Sequence, residues 1–264
     1  MSSWSLGFFY TALVLSSVSS LTWIMTIFYR RLVGILPTMT TFGLVLLTLS
    51  IIVRAAVTGH GPFSNMYEFS LAFAWGITTL GLLLWWRSRF TIIIGLTGIL
   101  TLGILIFAAS LSSRIIPLIP ALQQSVLLSF HVAAAFIAYG AFAIGFGLAV
   151  IYLIKTRSRP PGSPEVETID RISYESVIIG FPFLTLTIIL GAVWAEIAWG
   201  RYWGWDPKET ASLVTWLLYT IYLHARIIRG WQGKKAAVLL IIGFCAVLFT
   251  FFGNYIFQGL HSYR

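Results

Sequence analysis

Charge is scarce in this chain, and acid is scarcer than base. Of 264 residues only 9% are charged, with 17 Lys and Arg against 8 Asp and Glu, whereas 58% are hydrophobic and mean hydropathy is +0.91. A soluble domain of this size cannot bury that much apolar surface, so the surrounding medium is lipid. Cysteine is nearly absent as well: Cys245 stands alone inside an apolar run. That excludes a disulfide framework, a Cys-based zinc motif and a CxxC redox pair. The first apolar run has no basic residue before it and no convincing cleavage site, so no signal peptide is expected. No internal repeat stands out. A net charge of +9 would suit nucleic acid in a soluble protein. In a membrane protein it reports basic cytoplasmic loops, so lipid and not nucleic acid is the expected contact.

What remains is hydrophobic runs. A spanning helix needs about 20 predominantly apolar residues, and eight runs qualify, at 5–28, 33–53, 67–86, 90–109, 126–154, 177–198, 208–225 and 236–258. The fold class expected is therefore an all-α integral membrane protein with about eight transmembrane helices. Polar connections are short. The longest, 155–176, contains KTRSRPPGSPE and reads as a Pro-rich, charged loop without a fold of its own. The expected organisation is a single polytopic membrane domain over 1–264.

Twelve of the seventeen basic residues fall in alternate loops: Arg30, Arg31, Arg87, Arg89, Lys155, Arg157, Arg159, Arg171, Arg226, Arg229, Lys234 and Lys235. Arg54, Arg114, Arg201, Lys208 and Arg264 are spread over the other side. The positive-inside rule puts the first group in the cytoplasm and both termini on the outer side. The break between the sixth and seventh runs then faces outward.

That break, Trp199 to Thr210, reads WGRYWGWDPKET. Trp199, Trp203 and Trp205 offer large rigid faces at low entropy cost, and Gly200 and Gly204 allow tight turning and close approach to a ligand. Asp206 suits the N-cap of the seventh helix, Pro207 its first position, and Glu209 the capping-box partner. An interfacial aromatic belt would scatter Trp and Tyr over many helix ends. Here they are condensed with Arg and Asp in one loop, which reads as a flat surface for a planar, acid-bearing ligand. Arg201 suits a ligand carboxylate bidentately, and equally suits a headgroup phosphate. Lys208 is a weaker candidate, because the helix dipole disfavours a cation in the first turn.

Four histidines complete the inventory. His60 lies in the outer loop GHGPFSNMYE, His131 near the outer end of the fifth run, and His261 just beyond the outer end of the eighth. His224 lies 18 residues after Asp206 on the seventh, roughly 27 Å deeper at 1.5 Å per residue. Intramembrane ionisable groups are costly and mark function by default, whereas a histidine at a helix end also serves as an interfacial polar group. Two histidines flanking an aromatic surface can supply both axial ligands of a haem iron. Zinc is the rival, but close His or Cys spacing and a carboxylate cluster are both missing.

These residues resemble a known family. WGRYWGWDPKET looks like the tryptophan-rich "WWD" signature of haem-handling proteins in cytochrome c-type biogenesis, and its KET ending is similar to the CcsA/ResC type of system II. GHGPFSNMYEFSLAFAW, PALQQSVLLSFHVAAAFIAYGAF, TWLLYTIYLHAR and GNYIFQGLHSYR resemble the same branch in the same order, covering roughly 59–75, 117–153 and 190–264. The resemblance implies His131 and His261 as outward-facing ligands of haem iron beside the tryptophan-rich loop. It implies His224 as the intramembrane ligand that holds haem on its way across. His60 sits in a family-like motif and is retained as a haem-binding candidate without an axial role.

The function so implied is haem transport and attachment in cytochrome c maturation. Haem b, both substrate and bound cargo, crosses the membrane and is presented on the outer platform of Trp199, Trp203, Trp205 and Arg201 for thioether bonding to apocytochrome c CxxCH thiols. The chain would act as one subunit of a cytochrome c synthase, or haem lyase, with a separate ResB/CcsB-like membrane protein as partner and a thiol-reducing protein as a further candidate. A bacterial cytoplasmic (inner) membrane and a thylakoid membrane would both preserve this topology. Two alternatives stand beside it: a haem exporter or chaperone without synthase activity, and a non-haem membrane scaffold.

Overall fold

The computed structural model describes every residue except 1, 27, 116, 117, 119–121, 123, 124, 159, 161 and 257–264. Among the described residues the chain forms eight α-helices: α1 (Ser2–Met25), α2 (Leu36–Thr58), α3 (Met66–Ser88), α4 (Thr91–Ala109), α5 (Ser125–Lys155), α6 (Pro164–Trp199), α7 (Pro207–Ile227) and α8 (Lys234–Ile256). There is no strand among the described residues. Seven of the helices are long and apolar enough to cross a membrane, and the chain is a multi-pass membrane protein. The exception is α7, which carries Lys208, Glu209, His224 and Arg226. Its 21 residues still span about 31 Å, close to the hydrocarbon thickness.

Two boundaries differ from those read off the apolar runs. The second helix proper starts at Leu36, after a 3-10 turn over Arg30–Ile35. The larger difference is α6, which begins at Pro164 and not near 177, so the segment 164–176 is helix and only its head is loop. Pro164 takes the first helical position behind Ser163, and Glu165 and Glu167 occupy the positive end of the helix. Val166, Ile169, Ile172, Ser173 and Ser176 are buried along one face, at helical spacing. Interspersed charge hid this periodicity from a search for unbroken apolar runs.

The chain divides into two compact units, Met1–Gly140 and Ala141–Arg264. In the first, α1 packs on α2 and α4, and α3 packs on α4 and α2. Phe9, Leu47, Tyr67, Leu71 and Leu105 form its core. The middle of α3 and the middle of α5 meet backbone to backbone. A Cβ on Gly76 would lie 2.2 Å from the Phe136 carbonyl oxygen, and one on Gly140 would lie 2.4 Å from the Gly76 carbonyl carbon. Small residues at such crossings let helices approach in lipid, where no hydrophobic force drives them together.

In the second unit α7 pairs with α8 and packs on α6. Tyr219 stacks on Phe142 at 3.7 Å and 11°, and the Thr215 and Thr250 hydroxyls meet at 3.1 Å. The Trp216 indole N–H donates to Thr185 Oγ1 at 2.9 Å, tying α7 to α6. These contacts fix the register of the α7–α8 hairpin and so the heights of the residues at its two ends.

Candidate functional site

The tryptophan-rich loop joins α6 to α7. Gly200 ends α6 in the left-handed region, φ +70°, and donates its N–H to the Glu196 carbonyl at 2.8 Å. This is the conformation for which glycine is favoured at a helix C-terminus. Trp199 packs edge-on against the buried Trp194, with centroids 4.7 Å apart, so the loop leaves the helix from a fixed aromatic base.

The far end is held harder. Asp206 caps α7, accepting from the Lys208 N–H at 3.0 Å, and Glu209 completes the capping box. One Glu209 oxygen accepts from both the Asp206 N–H at 3.1 Å and the Gly204 N–H at 2.8 Å. The cap expected from the D-P-K-E order is therefore present. The sequence did not show that the same carboxylate reaches back to Gly204 and pins the loop itself. Asp206 is buried, consistent with a cap and not with a base or ligand.

Between these anchors Trp203 and Trp205 meet edge to face at 5.9 Å and 88°. Trp205 is 70% exposed, Tyr202 61%. Trp205 also adopts φ +56°, a left-handed backbone carried by a residue that is not glycine. For a bulky side chain this conformation is strained and calls for a functional reading. Arg201 folds back over the loop: a Cβ on Gly204 would stand 2.8 Å from its Nε. The glycine thus makes room for the guanidinium, and Arg201 stays exposed. An open apolar groove of about 400 Å³, lined by Pro207, Thr210, Ala211, Val214, Ala246 and Phe249, runs between α7 and α8 immediately below the loop.

The histidines distribute as follows. His60 and His131 belong to the first unit, the tryptophan loop and His224 to the second, and His261 lies outside the described residues. His131 is half-buried in the second turn of α5. His224 is exposed on the last turns of α7, at the opposite end of that helix from the loop. His60 is buried, its Nδ1 2.7 Å from the Gly61 carbonyl oxygen. With Nδ1–H donating there, Nε2 carries the lone pair.

The His60 loop sits against the head of α5. A Cβ on Gly61 would come within 3.1 Å of Ser129 Oγ, two residues before His131. A buried ion pair fixes this loop. Arg54 Nε donates to Glu68 Oε1 at 2.7 Å, with the two side chains 6% and 1% exposed. Glu68 Oε2 accepts from the Ser64 N–H at 2.9 Å and the Ser64 hydroxyl at 2.7 Å, and Arg54 NH1 donates to the Ser113 carbonyl at 2.9 Å. Sequence reading placed Arg54 among the scattered outer cations and missed its partner. Asn65 and Glu68 stand three apart before an apolar run, a capping-box spacing that offered the one available signal. Among the described residues no three His, Cys, Asp or Glu side chains converge on a metal-sized site.

Against known proteins, the family described as "Cytochrome C assembly protein" matches residues 63–261. "Cytochrome c biogenesis protein CcsA" of Chlamydomonas reinhardtii is 40% identical over 237 residues, covering 83% of this chain and 65% of that protein, so the chain spans just under two thirds of its length. The protein of the same name in Rippkaea orientalis is 36% identical, covering 87% of this chain and 89% of that one. Among solved structures, "Cytochrome c Heme Lyase CcmF" superposes with a TM-score of 0.70 over 95% of this chain and 46% of the other, at 18% identity, a likeness of fold.

Proposed function

The chain belongs to the cytochrome c assembly protein family, and from that premise we propose that it carries haem across the membrane and presents it for attachment to apocytochrome c. The observation that carries this reading is the aromatic loop. Three indoles and one guanidinium share a short loop whose Gly204 and Asp206 amides are pinned by the Glu209 carboxylate. Such a surface suits a planar, carboxylate-bearing macrocycle: the ring lies on the indoles and Arg201 takes a propionate. The groove below the loop accommodates an apolar edge of the same ring.

In this reading haem b is the cargo and the substrate. His131 and His261 supply the outer iron ligands, His224 the inner one, and His60 remains a contact without an axial role. The loop faces away from the cytoplasm, both termini lie on that side, and the chain works as one polytopic domain with a ResB-like partner. Attachment adds each CxxCH thiol across a vinyl group. The new bond is sulfur to carbon, the thiol hydrogen passes to the neighbouring vinyl carbon, and no net oxidation or reduction occurs. The protein contributes position and ligation, worth a large share of such a barrier, while the reactivity belongs to thiol and vinyl.

The test is reconstitution in a host that lacks its own maturation genes, with a ResB-like partner and an apocytochrome c co-expressed. Covalent haem on the apocytochrome is expected, and it is expected to vanish when His131 and His261 are both changed to alanine. Haem bound to the complex but never attached to substrate would favour an exporter. A purified complex without a haem band would leave only a scaffold.

A further inference from the structure

The residues at the other end of α7 form a second cluster. The chain leaves α7 at Ile227 and turns back so tightly that the Trp231 N–H donates to the Ala225 carbonyl at 2.9 Å. His224, Arg229 and Lys235 are all exposed around this turn. Arg226, the cation nearest His224 in sequence, is already committed. Its NH1 donates to Asp170 at 2.8 Å and to the Trp231 carbonyl at 3.2 Å, while the second Asp170 oxygen accepts from the Gly233 N–H at 3.0 Å. Asp170 lies on the polar extension of α6 that the apolar runs did not reveal, and it fastens both ends of the turn.

With Arg226 consumed, the turn presents Arg229 at its tip and Lys235 on the first turn of α8. The Lys235 ammonium stands 5.6 Å from the centre of the Trp231 ring. The antiparallel register set by Thr215 and Thr250 brings Lys235 level with Gly230, past the end of α7 at Ile227 and about 9 Å beyond His224 at 1.5 Å per residue. An iron ligand with cations displaced toward the water is the arrangement a porphyrin requires, because its carboxylates hang from one edge and not from its centre.

We propose that Arg229 and Lys235, with the Trp231 ring beside them, form a carboxylate seat that orients haem on His224 with its propionates toward the α7–α8 turn. The inference rests on the reading of His224 as a haem ligand and adds to it the direction in which the ring enters. Exposed cations beside a membrane also meet lipid phosphate, and the experiment separates the two sources.

The probes are hemin and hemin dimethyl ester, which has the same ring and iron but no free carboxylates. They are titrated into the detergent-solubilised full chain carrying H131A and H261A, so that neither outer iron ligand competes, and the signal followed is the one that H224A removes. Adding R229Q and K235Q is expected to weaken hemin about tenfold or more, the scale of one charge-assisted hydrogen bond. The ester should bind both proteins alike, and R229K with K235R should restore hemin. Equal loss of hemin and ester, or no loss of hemin, overturns the seat and leaves the two cations to lipid. If H224A instead retains hemin with the ligand spectrum unchanged, it is the histidine assignment that fails.

Discussion

Glu209 offers the sharpest test of how the aromatic loop is held. Its side chain accepts two backbone N–H groups through one oxygen, at 2.8 Å from Gly204 and 3.1 Å from Asp206. A hydrogen bond to a charged group contributes roughly 1.5–3 kcal/mol when buried. This loop is half open to water, which can replace the acceptor, so the lower end applies to the pair. The negative charge in the first turn of α7 adds about 0.3–1 kcal/mol through the helix dipole. Glu209→Ala should therefore release the loop by about 1.8–2.5 kcal/mol, roughly a 20- to 70-fold shift toward unpinned conformations. Glu209→Gln keeps an oxygen acceptor and should cost about 1 kcal/mol. Hydrogen exchange at the Gly204 and Asp206 amides reads the release directly, and thioether-linked cytochrome c in the reconstituted host, at matched membrane levels, reads its consequence. The expected order is wild type, then Gln, then Ala in both assays. Equal and complete loss of maturation in both variants, with exchange unchanged, would refute the reasoning and make the carboxylate a direct contact to cargo or substrate. Full maturation by the alanine variant would show that the loop need not be held.

Three further outcomes follow from the same geometry. Trp205→Gly relieves a left-handed backbone and should raise thermal stability by up to about 1 kcal/mol while lowering haem retention several-fold, a split that thermal melting and haem absorbance of one sample would reveal. Glu68→Gln leaves Arg54 buried without its countercharge. It should destabilise the protein by about 3–5 kcal/mol, seen as a lower Tm and lower membrane levels, and Glu68→Asp should recover part of the loss. Gly76→Val forces a Cβ into the Phe136 carbonyl, where only 2.2 Å is available. Overpacking of this kind costs about 1–3 kcal/mol, measurable as a shift in Tm that Gly76→Ala shows to a smaller degree.

Local chemistry was legible in the sequence and remote pairing was not. The head of α7 could be read from Asp206, Pro207 and Glu209 because a cap is decided within four residues of chain. The long apolar runs marked all eight helices, α7 included, for the same reason: lipid imposes a length and a composition that need no partner. The start of α6 escaped because its buried positions, from Val166 to Ser176, are separated by charges that lower any averaged hydropathy. Arg54 with Glu68 and Asp170 with Arg226 escaped because each pairing depends on how helices are packed, and a cation looks the same in sequence whether bound to a carboxylate or free in a loop. The haem reading came from motif resemblance. Histidines scattered from His60 to His261 have no spacing that specifies a metal, unlike a local zinc or calcium motif.

One consequence of the length of α6 reaches beyond the site. From Asp170, which fastens the α7–α8 turn, to Trp199, which seats the aromatic loop, runs an unbroken helix of about 44 Å at 1.5 Å per residue. The two ends of the molecule's chemistry are therefore attached to the same rod. That rod has one compliant point, Pro182, which contributes no backbone N–H to the ladder. The loop and the Asp170 clamp are thus held by one helix whose hydrogen-bond ladder is interrupted between them, at Pro182.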